Sequence, residues 1–169
     1  MPFPNLPYFC DTDGFKLSEH MAIHMYVADK WNPELLGRDT TEKATVDMLQ
    51  GVIKDVKTTL TKPCYEGMDR EELKLLISST IVSITSYLKD KKFLLGDNLC
   101  YLDFYLYELF QLLDFISEGQ LYNDHPILSD YQTRMYHLPG VKEVTDNLTP
   151  SVPFNAKFAP LNNFYEGEY

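Results

Sequence analysis

The 169-residue chain is short of cysteine, short of positive charge and without a long unbroken apolar run, and each shortage closes off a class of function. Its three cysteines, Cys10, Cys64 and Cys100, are odd in number and far apart, and no CxxC occurs. Nothing here suggests a disulfide framework, and a reducing compartment, cytoplasmic or mitochondrial, is the expectation. Each thiol reads as a small buried apolar group rather than a nucleophile. His20 and His24 read as core or surface histidines, so no metal site is expected. Basic residues number 15 against 25 acidic, a net charge of −10. Such a chain offers no basic patch to displace phosphate counterions, which argues against nucleic acid and anionic membranes as partners. The longest apolar stretch, 101–116, is interrupted by Asp103, Glu108, Gln111 and Asp114. In a bilayer those four would cost several kcal/mol, so the stretch reads as the central helix of a soluble bundle rather than a membrane span. Met1 is followed by proline, not by a basic segment and an apolar run, so no cleavable signal is visible. The Asn147 sequon is followed by Pro150 and reads as accidental.

What is present is apolar and aromatic. Hydrophobic residues make up 44% of the chain, with 12 Tyr and 10 Phe, enough for one domain or one and part of a second. Residues 6–10 alternate weakly, DTDG at 11–14 signals a turn, and FKL at 15–17 reads as a second short strand. Ser18 is the expected cap of a helix running to about Trp31, with Glu19 in its first turn. Asn32-Pro33 and Gly37 mark a linker. From Asp39 the pattern turns helical. Val46, Leu49, Ile53, Val56 and Leu60 fall at steps of 3, 4, 3 and 4, with Pro63 the expected end. Leu73, Ile77, Ile81, Ile84 and Leu88 predict a second long helix, and 101–117 a third. Shorter helices are expected at 124–137, started by Pro126, and at 140–147. The tail 148–169 carries three prolines and little periodicity, and no internal repeat is evident. The expected units are thus residues 1–31, 38–147 and an extended tail. The second is complete by its own pattern. The first is a lone hairpin with one helix, which is marginal in water unless more strands or a packed helix support it.

FPNLPYF followed by KLSEHMAIHMYVADKW resembles the second half of the thioredoxin-like domain of a mu-class glutathione transferase. VDMLQGVIKDV, TKPCY, FLLGDNLCYLDF and the HPIL to LPGVKE region follow in the same order and spacing, so the resemblance covers roughly residues 3–160. It implies a mostly α fold: a glutathione-transferase C-terminal helical bundle preceded by a truncated thioredoxin-like β-hairpin plus one helix. It implies a glutathione site at Asn5, Leu6, Pro7, Glu19, His20 and Asp55. There Leu6 offers its backbone to the cysteinyl unit as an added strand, and Pro7 is cis. The helix start at Glu19 and His20 receives the γ-glutamyl carboxylate, and Asp55 reaches across a dimer. Tyr65 implies a hydroxyl that polarises electrophiles, and Phe3 an aromatic key for a neighbouring subunit. Each has a structural role as well: Leu6 and Pro7 in building the hairpin, Tyr65 in packing a helix end, Asp55 as a solvated helix residue.

The departures carry expectations of their own. The family's catalytic tyrosine lies on a first strand that these residues do not include, and His20 stands where a small serine is common. Cys100 replaces a capping threonine, while Asp103 remains at the third helical position. The sequence thus suggests a catalytically silent glutathione-transferase-like chain, binding glutathione weakly if at all and serving as a structural subunit of a larger complex or a homodimer. Phe3, Phe158 and Phe164 would be its contacts. The alternative is part of an active transferase that conjugates glutathione to electrophiles.

Overall fold

A computed structural model describes residues 3–147. Two three-residue strands, β1 (Tyr8–Cys10) and β2 (Lys16–Ser18), pair antiparallel with Tyr8 opposite Ser18, Phe9 opposite Leu17 and Cys10 opposite Lys16. Asp11 and Gly14 close the turn: the Asp11 N–H donates to the Phe15 carbonyl at 2.8 Å and the Gly14 N–H to the Asp11 carbonyl at 3.0 Å. β1 is shorter than the expected 6–10 because Pro7 has no N–H to give a ladder. The Leu6–Pro7 bond is cis.

Helix α1 (His20–Trp31) begins differently from the sequence expectation. Ser18 is the last residue of β2, and its hydroxyl donates to the Phe3 carbonyl at 2.6 Å instead of capping the helix. Glu19 is left at the N-cap with φ 73° and makes no side-chain cap bond. A non-glycine residue at positive φ costs of order 1–3 kcal/mol, and here it turns the chain directly from strand into helix. Tyr26 of α1 fastens the hairpin, with its ring 5.8 Å from Phe9 and 5.0 Å from Phe15 and its hydroxyl donating to Asp11 at 2.6 Å. Lys30 also pairs with Asp11. These bonds, that from Lys30 foremost, hold the Asp11 carboxyl well below its ordinary range.

The linker folds as a 3-10 turn, Pro33–Leu36, ending at Gly37. Gly37 has φ 101°, and a Cβ there would lie 2.6 Å from the Lys43 backbone nitrogen. Helix α2 (Thr40–Glu66) follows, capped by the Asp39 carboxylate, which accepts from the Glu42 N–H at 2.9 Å. Glu42 in turn accepts from the Arg38 backbone at 2.8 Å and pairs with its guanidinium, so its carboxyl is lowered to about 2. The expected stripe is buried: Val46, Leu49, Ile53, Val56, Leu60 and also Cys64. Pro63 does not end the helix. The chain continues one more turn because Cys64 is packed into the core and Gly67, at φ 79°, supplies the left-handed stop.

The expected helix over 73–88 is instead two, α3 (Arg70–Thr80) and α4 (Val82–Leu88), meeting at Ile81. Backbone bonds from Ile81 to Ile77 and from Thr85 to Ile81 carry the ladder through the joint, so the stripe Leu73, Ile77, Ile81, Ile84 and Leu88 stays buried. Helix α5 (Tyr101–Ile116) runs through the centre against α1, α2, α3, α6 and α7. Its Asp103 is fully buried and accepts from the Leu94 N–H at 2.9 Å, the Cys100 N–H at 2.8 Å and the Tyr131 hydroxyl at 2.7 Å. Burial still pushes this carboxyl upward, against the pull of those bonds. The expected helix over 124–137 is divided at His125 into α6 (Gln120–Asp124) and α7 (Pro126–Tyr136), with Pro126 starting the second. Helix α8 (Val141–Asn147) closes the described chain.

Candidate functional site

Asn5, Leu6, Pro7, Glu19 and His20 lie where the hairpin meets α1, and Tyr65 of α2 shares a cavity with His20. The Asn5 amide donates to the Glu19 carboxylate at 3.0 Å, tying the hairpin approach to the helix start. The Leu6 N–H is already taken by the Asn5 side-chain oxygen at 3.0 Å, while its carbonyl has no partner among the described residues. Leu6 is 77% exposed. His20 turns its ring onto Tyr105 of α5, stacked at 5.6 Å between centroids with the tyrosine hydroxyl 3.4 Å from Nε2. His24, one turn on, meets the same ring edge-on at 5.8 Å. Desolvation holds both imidazoles below their ordinary pKa, and the Lys57 charge lowers them further. Both are therefore shifted toward the neutral form relative to a free imidazole.

Beside this stack lies a cavity of about 360 Å³ lined by His20 and Tyr105 on one side and by a face of α2 on the other: Lys54, Lys57, Thr58, Thr61, Lys62 and Tyr65. Lys57 rests over the Tyr105 ring, 4.9 Å from its centroid. Tyr65 is 59% exposed at the rim; the helix-end packing role falls to its neighbour Cys64, which points into the core. Two expected site residues, His20 and Tyr65, thus converge although 45 positions separate them. Asp55 does not join them. It is exposed on α2 and is not among the residues lining this cavity. Phe3 is exposed, with its carbonyl engaged by Ser18, while Phe158 and Phe164 lie outside the described residues.

Sequence reading missed the lysines and Tyr105. A signal was available: positions 54, 57, 58, 61, 62 and 65 follow i, i+3, i+4, i+7, i+8, i+11, one continuous polar face of α2 beside its apolar stripe. On the other side of Tyr105 a second cavity of about 340 Å³ opens between α1 and α5, walled mostly by apolar groups, among them Val27, Ala28, Trp31 and Phe104. Among the described residues, no group of three or more His, Cys, Asp or Glu side chains is arranged to hold a metal ion. No described helix is long and apolar enough to cross a membrane.

The model of the glutathione S-transferase C-terminal domain matches residues 54–147, which include the α2 face of the cavity from Lys54 onward, Tyr65 and Tyr105. The chain belongs to the glutathione S-transferase family. Its curated relatives include class-mu enzymes. The 26 kDa class-mu isozyme 7 of Fasciola hepatica is 31% identical over 147 residues, covering 85% of this chain and 65% of the relative. The class-mu 26 kDa isozyme of Schistosoma mansoni is 32% identical over 146 residues, covering 84% and 65%. Glutathione S-transferase Mu 1 of Bos taurus is 32% identical over 149 residues, covering 86% and 65%. The chain thus spans about 65% of the length of these relatives. Among solved structures, the glutathione S-transferase Blo t 8 superposes with a TM-score of 0.79 at 24% identity, over 95% of this chain and 77% of that one, a likeness of fold. The architecture is accordingly a glutathione-transferase helical bundle preceded by the hairpin and helix of a partial thioredoxin-like domain.

Proposed function

We propose that this chain is a glutathione-transferase-type binding protein that takes the γ-glutamyl end of glutathione at the α1 corner and the second reactant in the adjacent cavity. The observation that carries the reading is the convergence of His20 and Tyr65 on one cavity beside the Asn5–Glu19 contact. At that corner the free N–H groups of the first turn of α1 suit the γ-glutamyl carboxylate. The Glu19 carboxylate suits its ammonium. The free Leu6 carbonyl can accept from the cysteinyl N–H, while the Leu6 N–H must exchange its Asn5 bond before it can pair. Because glutathione must displace that bond, its binding is weak. Tyr65 at the rim has a hydroxyl placed to donate to an electrophile, and Asp55 completes a glutathione site only from a second copy of the chain. The chemistry such a pairing serves is attack of the glutathione thiolate on an electrophilic carbon with departure of the leaving group.

A second reading, a non-catalytic subunit within a larger assembly or a homodimer, is favoured by a different observation. Phe3, Leu6, Tyr8 and Phe15 are all exposed on the hairpin, an apolar surface of the kind that marks protein contacts. Calorimetry with glutathione, followed by turnover with an aryl halide, separates the two. Binding weakened by Glu19→Ala, with measurable halide release, supports the transferase. Binding without release, from a species heavier than the 19.6 kDa monomer, supports the subunit. No binding at millimolar glutathione overturns the glutathione site.

A further inference from the structure

Two cavities adjoin on one side of α5. The α1–α5 cavity of about 340 Å³ and another of about 390 Å³ between α5 and the start of α8 share Phe104 and Glu108 as wall residues. Together they form an apolar trough from Val141 and Val144 of α8, across α5, to Val27 and Trp31 of α1. The described residues leave it open. Val144 is exposed, Val27 and Phe104 are half-exposed, and Trp31, the one tryptophan of the chain, is 61% exposed. Contiguous apolar surface of this kind is unfavourable in water and is stabilised by a covering segment.

The trough carries one charge that lacks a partner. Glu108 is the only carboxylate lining either cavity, and no Lys or Arg lines them. Lys57 of α2 acts on Glu108 from beyond ion-pair distance, with its ammonium over the Tyr105 ring. Desolvation still holds the Glu108 carboxyl above its ordinary range, an effect that a cation in direct contact would offset.

The sequence that follows α8 answers both features. Val144 and Thr145, in the last turn of α8, line the trough, and the chain continues from Asn147 into residues 148–169. Between Leu148 and Tyr165 that segment has a single charged residue, Lys157, with Phe154 three positions before it and Phe158 one after. Pro150, Pro153 and Pro160 restrict φ, which lowers the entropy lost on seating an extended segment. Residues 148–160 reach about 40 Å at ~3.1 Å per residue. The trough follows α5 only from Tyr101 to Gln111, about 15 Å at ~1.5 Å per residue.

We propose that the chain's own residues 148–160 occupy this trough, with Phe154 between α5 and α8, Lys157 paired with Glu108, and Phe158 against Trp31 and Val27. The tail thereby covers its own bundle, and Phe158 is engaged within the chain instead of on a neighbouring subunit. This seating is independent of what the cavity between His20 and α2 binds.

Trp31 reports on it directly, through its fluorescence in the whole chain. The paired substitution Phe154→Ser with Phe158→Ser, which leaves the bundle core untouched, should move the Trp31 emission to longer wavelength and speed its quenching by acrylamide. Phe164→Ser should leave both as they are. Lys157→Gln and Glu108→Gln should each produce part of the change, and together no more than either alone, because each removes the same pair. An emission unmoved by the paired phenylalanine variant overturns the proposal. So does a summed effect of the two charge substitutions, or shielding of Trp31 that grows with protein concentration, which would seat the tail on a second copy of the chain.

Discussion

The hairpin corner and the helical bundle solve the problem of apolar surface in opposite ways. In the bundle, Phe110, Leu106, Leu113, Tyr131 and Ile53 are fully buried, and Asp103, the one buried carboxylate among the described residues, has three partners. At the corner, Phe3, Leu6, Tyr8 and Phe15 stay exposed, and order comes from point contacts: Tyr26 to Asp11, Ser18 to Phe3, Asn5 to Glu19. The lesson is that a two-stranded ribbon on one helix cannot enclose a core. Its geometry is set by polar bonds on the rim, and those leave backbone and side-chain groups free to bind. The bundle takes its order from an enclosed core instead, even though Leu75, Val144 and Met48 stay exposed on its outer faces.

If that contrast holds, the same substitution should weigh differently in the two regions. Phe110→Ala should cost about 3–5 kcal/mol in urea unfolding, the sum of lost burial and an unfilled cavity. Phe15→Ala, which removes only a half-exposed ring beside Tyr26, should cost about 1 kcal/mol. Comparable costs would break the contrast. A polypeptide of residues 38–147 should still melt cooperatively, at a lower temperature because Ala28 and Met21 no longer cover the bundle. Broad melting with binding of a hydrophobic dye would show that the corner and the bundle are one unit.

The boundary between them should respond to pH. His20 and His24 titrate below their ordinary value of about 6.5 when folded. Between the two values the unfolded chain binds more protons, so stability is fully present above about pH 6.5 and is lost as pH falls through the lower folded pKa. The paired variant His20→Gln with His24→Gln should show a smaller loss of melting temperature between pH 7.5 and 5.5 than the native chain. An identical loss would place the imidazoles outside the linkage. Smallest of all, Phe3→Ala should leave stability within about 0.5 kcal/mol. If the hairpin is a docking surface, the same change lowers the mass of the native assembly instead.

The bundle was readable in the sequence because burial imposes a period. Val46 to Leu60 and Leu73 to Leu88 announce their helices, even though the second stripe passes through a joint at Ile81 that no spacing reveals. Ends were harder. Pro63 looked like a stop, but the stop was Gly67, because a packed Cys64 extends the helix beyond a residue that merely lacks a donor. Ser18 looked like a cap, but strand pairing had already directed its hydroxyl to Phe3. Of the positions that the resemblance implies, Asn5 meets Glu19 at the start of α1 and His20 faces Tyr65 across the cavity, whereas Asp55 lies off it. The lysine face went unseen because a whole-chain charge of −10 hides a local excess of the opposite sign. Periodicity applied to polar positions, rather than to apolar ones alone, would have exposed it.

Gly37 acts as a gauge block between the two regions. With backbone atoms of Glu42 and Lys43 2.6–3.0 Å from where a Cβ would stand, no side chain fits without moving one region off the other. The clearance is therefore fixed by the absence of a single carbon rather than by an adjustable contact. Anyone grafting the hairpin corner onto another bundle, or exchanging bundles beneath this corner, must carry this residue and the opening turn of α2 across as one piece.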